Sequence, residues 1–243
     1  MQRPNWGEER SSAPRRGRWS QAEIARFREL YGLRDETAIA RELNRSVASV
    51  RNMADALFKD PIKTGPWADD EVERLKTYLG ATSNKTIARI LARPVSEVEA
   101  RIAELSKVQR DDAWTQQEIN DLKRLYGTRS DESLAIIFGR SLDSVRECAE
   151  KLCIAKDKAF LRKESGGAKS TRMPRWKPEE LEILRELYPD SSNLEIAQKL
   201  NRSVKSVVSK AHNMGLKKDP ARLREMGREN VSLRYRADSD ESS

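Results

Sequence analysis

The sequence predicts an all-α protein of four tandem three-helix units joined by linkers, and three observations predict it. A stretch repeats: "IARELNRSVASVR" at 39–51 returns as "IAQKLNRSVKSVV" at 196–208, with looser copies "IARILARPVSEVE" at 87–99 and "LAIIFGRSLDSVR" at 134–146. Aligned on Trp19, Trp67, Trp114 and Trp176, the apolar residues of all four copies coincide without a gap. Within each copy those residues recur at helical spacing.

The first helix of each copy follows its tryptophan. Five residues on stand Ile24, Val72, Ile119 and Leu181, eight on Phe27, Leu75, Leu122 and Leu184, and twelve on Tyr31, Leu79, Tyr126 and Tyr188. Those offsets share one helix face. Ser20 with Glu23, and Thr115 with Glu118, have the spacing of capping boxes, and Pro178 suits a first turn. Gly32, Gly80, Gly127 and Pro189 stop the helix. The recurring Glu23, Glu71, Glu118 and Glu180 are read as caps, and the four tryptophans as core residues at the head of an apolar stripe.

A second, two-turn helix is predicted from Ile39, Ala40 and Leu43, Ile87, Ala88 and Leu91, Leu134, Ala135 and Phe138, and Ile196, Ala197 and Leu200. Asn44, Ala92, Gly139 and Asn201 follow, and Asn or Gly tolerates the left-handed backbone that ends a helix tightly. Ser46, Ser141 and Ser203 then offer hydroxyl caps for a third helix, with Pro94 in the remaining copy. The third helix of the last copy turns Val204, Val207, Ala211 and Met214 inward. Two helices joined by so short a turn and braced by a first make a helix-turn-helix unit.

The predicted order is a basic disordered arm at 1–17, units at 18–60, 61–108 and 109–155, a basic flexible linker at 156–174, and a fourth unit at 175–218. A C-terminal helix capped by Asp219 with Pro220 in its first turn, and an acidic disordered tail, fill 219–243. The net charge is +8, and nearly all of it sits in 1–18, with five cations against two carboxylates, and in 155–175, with seven against two. Basic arms beside neutral units suit a polyanionic partner. Cys148 and Cys153 lie five apart on one helix without a His or Cys cluster, and are read as reduced structural residues. His212 is the only histidine, so no His-based triad or metal pair can form. No phosphate loop or nucleophile elbow occurs, and no enzyme activity, cofactor or small-molecule substrate is expected. Without an apolar run of spanning length or a signal-peptide core at "MQRPNWGEER", no membrane partner is expected either.

The pattern Trp-x3-Glu with its apolar stripe, followed by Ile-Ala-x2-Leu-x-Arg-Ser-x2-Ser-Val, resembles the Myb/SANT-like, homeodomain-like repeats over residues 18–60, 66–108, 113–155 and 175–218. Only the first of the three regularly spaced tryptophans of animal Myb repeats is present here. In that respect the chain looks more like the divergent repeats of bacterial and phage DNA-binding proteins. Some phage endonucleases carry similar modules beside a nuclease domain, for which this chain has no room.

The resemblance implies that the third helix enters the major groove, and helical geometry puts positions 29, 30, 33, 34 and 37 after the tryptophan on its outer face. In the fourth unit these are Lys205, Ser206, Ser209, Lys210 and Asn213, with Arg202 before them and Lys217 and Lys218 beyond. The first unit shows Ala48, Ser49, Asn52, Met53 and Ala56, flanked by Arg51 and Lys59. The second shows Ser96, Glu97, Ala100, Arg101 and Glu104 on that face, and the third Asp143, Ser144, Glu147, Cys148 and Lys151 with Glu150 close by, so both should bind a duplex poorly. Arg15, Arg16 and Arg18 precede the first unit, and Lys169, Arg172 and Arg175 the fourth, as arms for the backbone or minor groove. Trp6 stands in the first arm, outside the repeat.

The expected function is sequence-selective binding of double-stranded DNA, as a transcriptional regulator using the fourth unit and the first. The alternatives are a SANT-like protein scaffold whose acidic units two and three hold a protein partner, and a non-catalytic DNA-targeting subunit of a nuclease or recombinase. The expected location is the cytoplasm, on the nucleoid, for a bacterial or phage protein, and the nucleus for a eukaryotic one.

Overall fold

Short polar side chains start most of the helices. In this computed structural model, which describes residues 13–59, 63–166, 174–225 and 228, the first sequence copy holds α1 (Gln21–Leu30), α2 (Glu36–Glu42) and α3 (Val47–Leu57). The second holds α4 (Asp69–Tyr78), α5 (Asn84–Leu91) and α6 (Val95–Leu105). The third holds α7 (Gln116–Leu125) with a 3-10 turn at Tyr126–Thr128, α8 (Asp131–Phe138) and α9 (Leu142–Lys151). After α10 (Lys158–Glu164) the fourth holds α11 (Pro178–Leu187), α12 (Asn193–Lys199) and α13 (Val204–Asn213). Among the described residues there is no strand, and the chain is all-α.

Local chemistry sets these boundaries. Ser46, Ser141 and Ser203 adopt extended backbone and accept the N–H three residues on, satisfying a donor that the first turn leaves without a partner. Ser20 and Thr115 close the reciprocal boxes with Glu23 and Glu118. Asn44, Ala92, Gly139 and Asn201 all take left-handed backbone at φ 51°, 54°, 60° and 49°. Ala92 does so with a Cβ, at a cost of about 1 kcal/mol.

Two expectations about the segments between copies differ from the structure. Part of the stretch read as a flexible linker is helix α10, and the first copy packs directly on the second and the third on the fourth. The chain divides into two compact units, Met1–Glu104 and Leu105–Ser243. In the first, Phe27, Ile39, Val50 and Ala54 form a buried core that also takes in Ile90 and Tyr78 from the second copy. Gly32, at φ +85°, lies where a Cβ would come within 2.6 Å of Ile90 Cδ1. In the second unit Leu122, Leu134, Phe138 and Val145 form one core, and Leu184, Ile196, Leu200 and Val207 another. Cys153, from the end of the third copy, packs on the latter. Its carbonyl accepts the Val204 N–H at 3.0 Å, and the Lys151 carbonyl accepts from Gln198 at 3.1 Å. Buried apolar side chains contribute about 1.5–3 kcal/mol each, so with cores this small the shared contacts add appreciably to each copy.

Candidate nucleic-acid interface

Each copy is closed by an arginine 26 residues after its tryptophan: Arg45, Arg93, Arg140 and Arg202. Arg45 stacks over Trp19 at 5.1 Å, donates to the Gly17 and Arg18 carbonyls at 2.8 and 3.0 Å, and forks onto both oxygens of Glu23 at 3.0 and 2.9 Å. Arg93 grips the Gly65 and Pro66 carbonyls and Glu71 in the same way, and Arg140 those of Asp112 and Ala113 with Glu118. Arg202 lies 4.8 Å from the Trp176 ring centroid, bonds the Pro174 and Arg175 carbonyls at 2.9 Å each, and pairs with Glu180 at 2.8 Å. The guanidinium expected to touch DNA at Arg202 is therefore spent inside its own copy, where a planar five-donor fork matches a carboxylate and two carbonyls at once.

The same clasp explains the recurring glutamates, which are more than caps. The Arg45 guanidinium, and then the Ser20 N–H, hold the Glu23 carboxyl down to about 2. Arg93 and Arg202 likewise hold Glu71 and Glu180 below the ordinary carboxylate range. Burial pushes Glu118 up, but the Thr115 N–H and the Arg140 and Arg110 guanidinium groups outweigh it and the carboxyl stays low. The signal was present in the sequence as an arginine at one offset in all four copies.

The arms are strapped rather than loose where the structure describes them. The Arg15 N–H donates to the Asn44 carbonyl at 2.7 Å, as Lys63 does to Ala92 at 2.6 Å and Arg110 to Gly139 at 2.7 Å. Each arm is thus tied to the turn that precedes its third helix. Arg15, Arg16, Arg18 and Arg175 are exposed beside that turn, with Arg15 3.9 Å from Glu23. Arg172, Lys169 and Trp6 lie outside the described residues.

The outer face of the third helices is rotated from the expected one. Positions 29, 32, 33, 36 and 37 after the tryptophan are exposed in all four copies, whereas 30 and 34 are half-buried or buried. In the first and third copies the tryptophan docks on that flank: Trp19 donates its indole N–H to Ser49 Oγ and Trp114 to Ser144 Oγ, both at 3.1 Å. Ser49 is thus engaged with the core, Met53 packs into the first core, and Cys148 is buried in the third. Burial also pushes the Cys148 thiol up, away from the reactive thiolate.

On α13 the exposed stripe is Lys205, Val208, Ser209, His212 and Asn213, with Lys217 exposed beyond it and Ser206 and Lys210 half-buried. Val208 and His212 belong to this face and were not placed there by the offsets. Lys205 is 84% exposed and bonds Asp157 Oδ1 at 2.7 Å. Lys218 differs from expectation: it donates to the Ser191 carbonyl and sits 4.0 Å from the Tyr188 ring centroid, and its burial lowers its basicity. Lys156 repeats that arrangement on Tyr126 and Arg129 in the third copy.

On α3 the stripe is Ala48, Arg51, Asn52, Asp55 and Ala56, with Arg51 paired to Glu36 at 2.6 Å and Asp55 to Arg89. On α6 it includes Glu99 and Glu104, and on α9 Asp143, Arg146, Glu147, Glu150 and Lys151. Glu97, half-buried, pairs with Arg93 at 3.1 Å. Among the described residues no group of three or more His, Cys, Asp or Glu is placed to hold a metal ion, and no helix is long and apolar enough to cross a membrane. Comparison of the chain with family models, with curated proteins and with solved structures gives no match.

Proposed function

We propose that the four copies are helix-turn-helix units of the Myb/SANT-like kind, and that the chain binds double-stranded DNA by setting α13 in the major groove. One observation carries the reading: α13 has no carboxylate, and its exposed stripe runs from Lys205 to Asn213 through Val208, Ser209 and His212. Eight residues of helix rise about 12 Å, the width of the groove. Lys205 and Lys217 then stand near opposite phosphate walls, while Asn213 can pair with an adenine edge and Val208 can touch a thymine methyl. Arg175, exposed and held through its carbonyl by Arg202, adds a backbone contact. In the first copy Arg51 and Asn52 offer a weaker version, because Asp55 and Glu36 offset the cations there. The role proposed for this binding is regulation of transcription, and it requires that the bound sequence be selective.

Binding of a labelled duplex by the full chain, followed by fluorescence anisotropy over a salt series, tests this. The double substitution Lys205→Glu with Lys217→Glu should weaken binding at least tenfold near 0.1 M salt and flatten the logarithmic salt slope by about two counterions. An unchanged affinity and slope would remove α13 from the interface.

A second reading, a scaffold for a basic protein partner, is favoured by the α9 stripe, where Asp143, Glu147 and Glu150 are all exposed. A complex that survives nuclease treatment and is lost on Glu147→Lys with Glu150→Lys would support it.

A further inference from the structure

The third copy, whose own third helix is acidic, meets the fourth at the foot of α13. There a cleft of about 280 Å³ opens between the copies, lined by Lys123, Arg124 and Tyr126 from the end of the third copy's first helix and by Ser203 and Lys205 from the start of α13. Lys123 and Arg124 are exposed, and Arg124 is 72% so even though it bonds Asp121 at 2.6 Å. One carboxylate, Asp157, enters the cleft and holds Lys205. Asp157 stands at the N-cap of α10, yet its side chain makes no cap bond to that helix. An aspartate in that position ordinarily satisfies its own helix. Here Lys205 takes its oxygen instead.

Resting on the assignment of α13 as the groove helix, we propose that this cleft seats backbone phosphates of the same duplex. Lys123 and Arg124 of the third copy extend the contact, and Asp157 occupies Lys205 until a phosphate replaces it. Three cations from two copies converge on one opening, against Asp157 within it and Asp121 behind Arg124. The Val204–Cys153 and Gln198–Lys151 hydrogen bonds hold the two copies in register, so the cations keep their spacing as DNA arrives. On this view the third copy contributes through the end of α7 rather than through α9. When a phosphate captures Lys205, the Asp157 carboxylate is released to cap α10, where it recovers a hydrogen bond.

The test uses the full chain and a fluorescein-labelled duplex of randomised sequence, titrated at several salt concentrations. Lys123→Glu with Arg124→Glu should weaken binding at least fivefold and lower the logarithmic salt slope by about two. Asp157→Asn, which retains a capping side chain, should strengthen binding about two- to fivefold. A charge-matched control, Lys85→Glu with Lys107→Glu, alters exposed lysines elsewhere and should leave the slope near the wild-type value.

If the 123/124 pair changes nothing while the 205/217 pair does, or if the control reproduces the 123/124 effect, the phosphate seat is wrong and the groove helix stands. Equal or weaker binding by Asp157→Asn overturns the role given to that carboxylate. If the 205/217 pair also has no effect, the assignment of α13 falls and the seat with it.

Discussion

Arg140 has 1% of its side chain exposed, and the charge survives there because a carboxylate, two backbone carbonyls and an indole face surround it. Removing one partner of such a pair leaves the other buried and uncompensated, which costs about 3–5 kcal/mol. Arg140→Ala should therefore lower the urea midpoint of the unit holding it, and Arg202→Ala should do the same, less steeply because its side chain is 11% exposed. On the proposal that the chain binds DNA, any loss of binding in the Arg202 variant should track unfolding, measured by circular dichroism at the binding temperature. The clasp also sets an acid limit. A carboxyl whose folded pKa lies below its unfolded value stabilises the fold above the unfolded pKa, and that stabilisation is lost as pH falls through the folded one. With Glu23 at about 2 against an ordinary 4.5, the loss in the first copy should run from pH 4.5 down to about 2. Melting temperatures measured across that window should fall in the wild type and change less in Glu23→Gln.

At the level of elements, helix extents were legible because caps and stop signals act over four residues. Ser203 and Asn201 are enough to place the start of α13 and the turn before it. What the 3.6 period left open was the flank of the third helix facing solvent. Positions 30 and 36 after the tryptophan lie equally far from the middle of the outer face, and a helical wheel cannot rank them. In the first and third copies the tryptophan ranks them by docking on the side of Ser49 and Ser144, and α13 has the same sidedness, with His212 exposed and Ser206 half-buried. The turn at Gly32 shows the same dependence on a distant element. Gly32→Ala should destabilise the first unit by about 2 kcal/mol, through left-handed backbone and contact with Ile90, readable as a shift in chemical denaturation. A matched change at Gly17, whose added Cβ would meet nothing within 4 Å, isolates the backbone part of that cost.

Across the molecule, the copies are paired rather than strung as beads. Because Cys153 of the third copy packs on the core around Leu184 and Val207, damage to one core should be felt in the next. Leu134→Ala, at a fully buried site, should cost about 2–5 kcal/mol. It should also speed hydrogen exchange at the α12 and α13 amides, whereas copies that unfold separately would leave those amides unchanged.

The sequence by itself determined the number of copies, the helices within each and the contrast between a carboxylate-free α13 and the acidic third helices of the inner copies. All of these follow from residue type and spacing along one helix. Tertiary structure alone decided that Arg202 and Lys218 face inward and that Lys205 meets Asp157. The physical reason is range: an arginine finds its carboxylate 22 residues away and a lysine its aspartate 48 away, and such partners are set by how helices pack, not by local backbone preference.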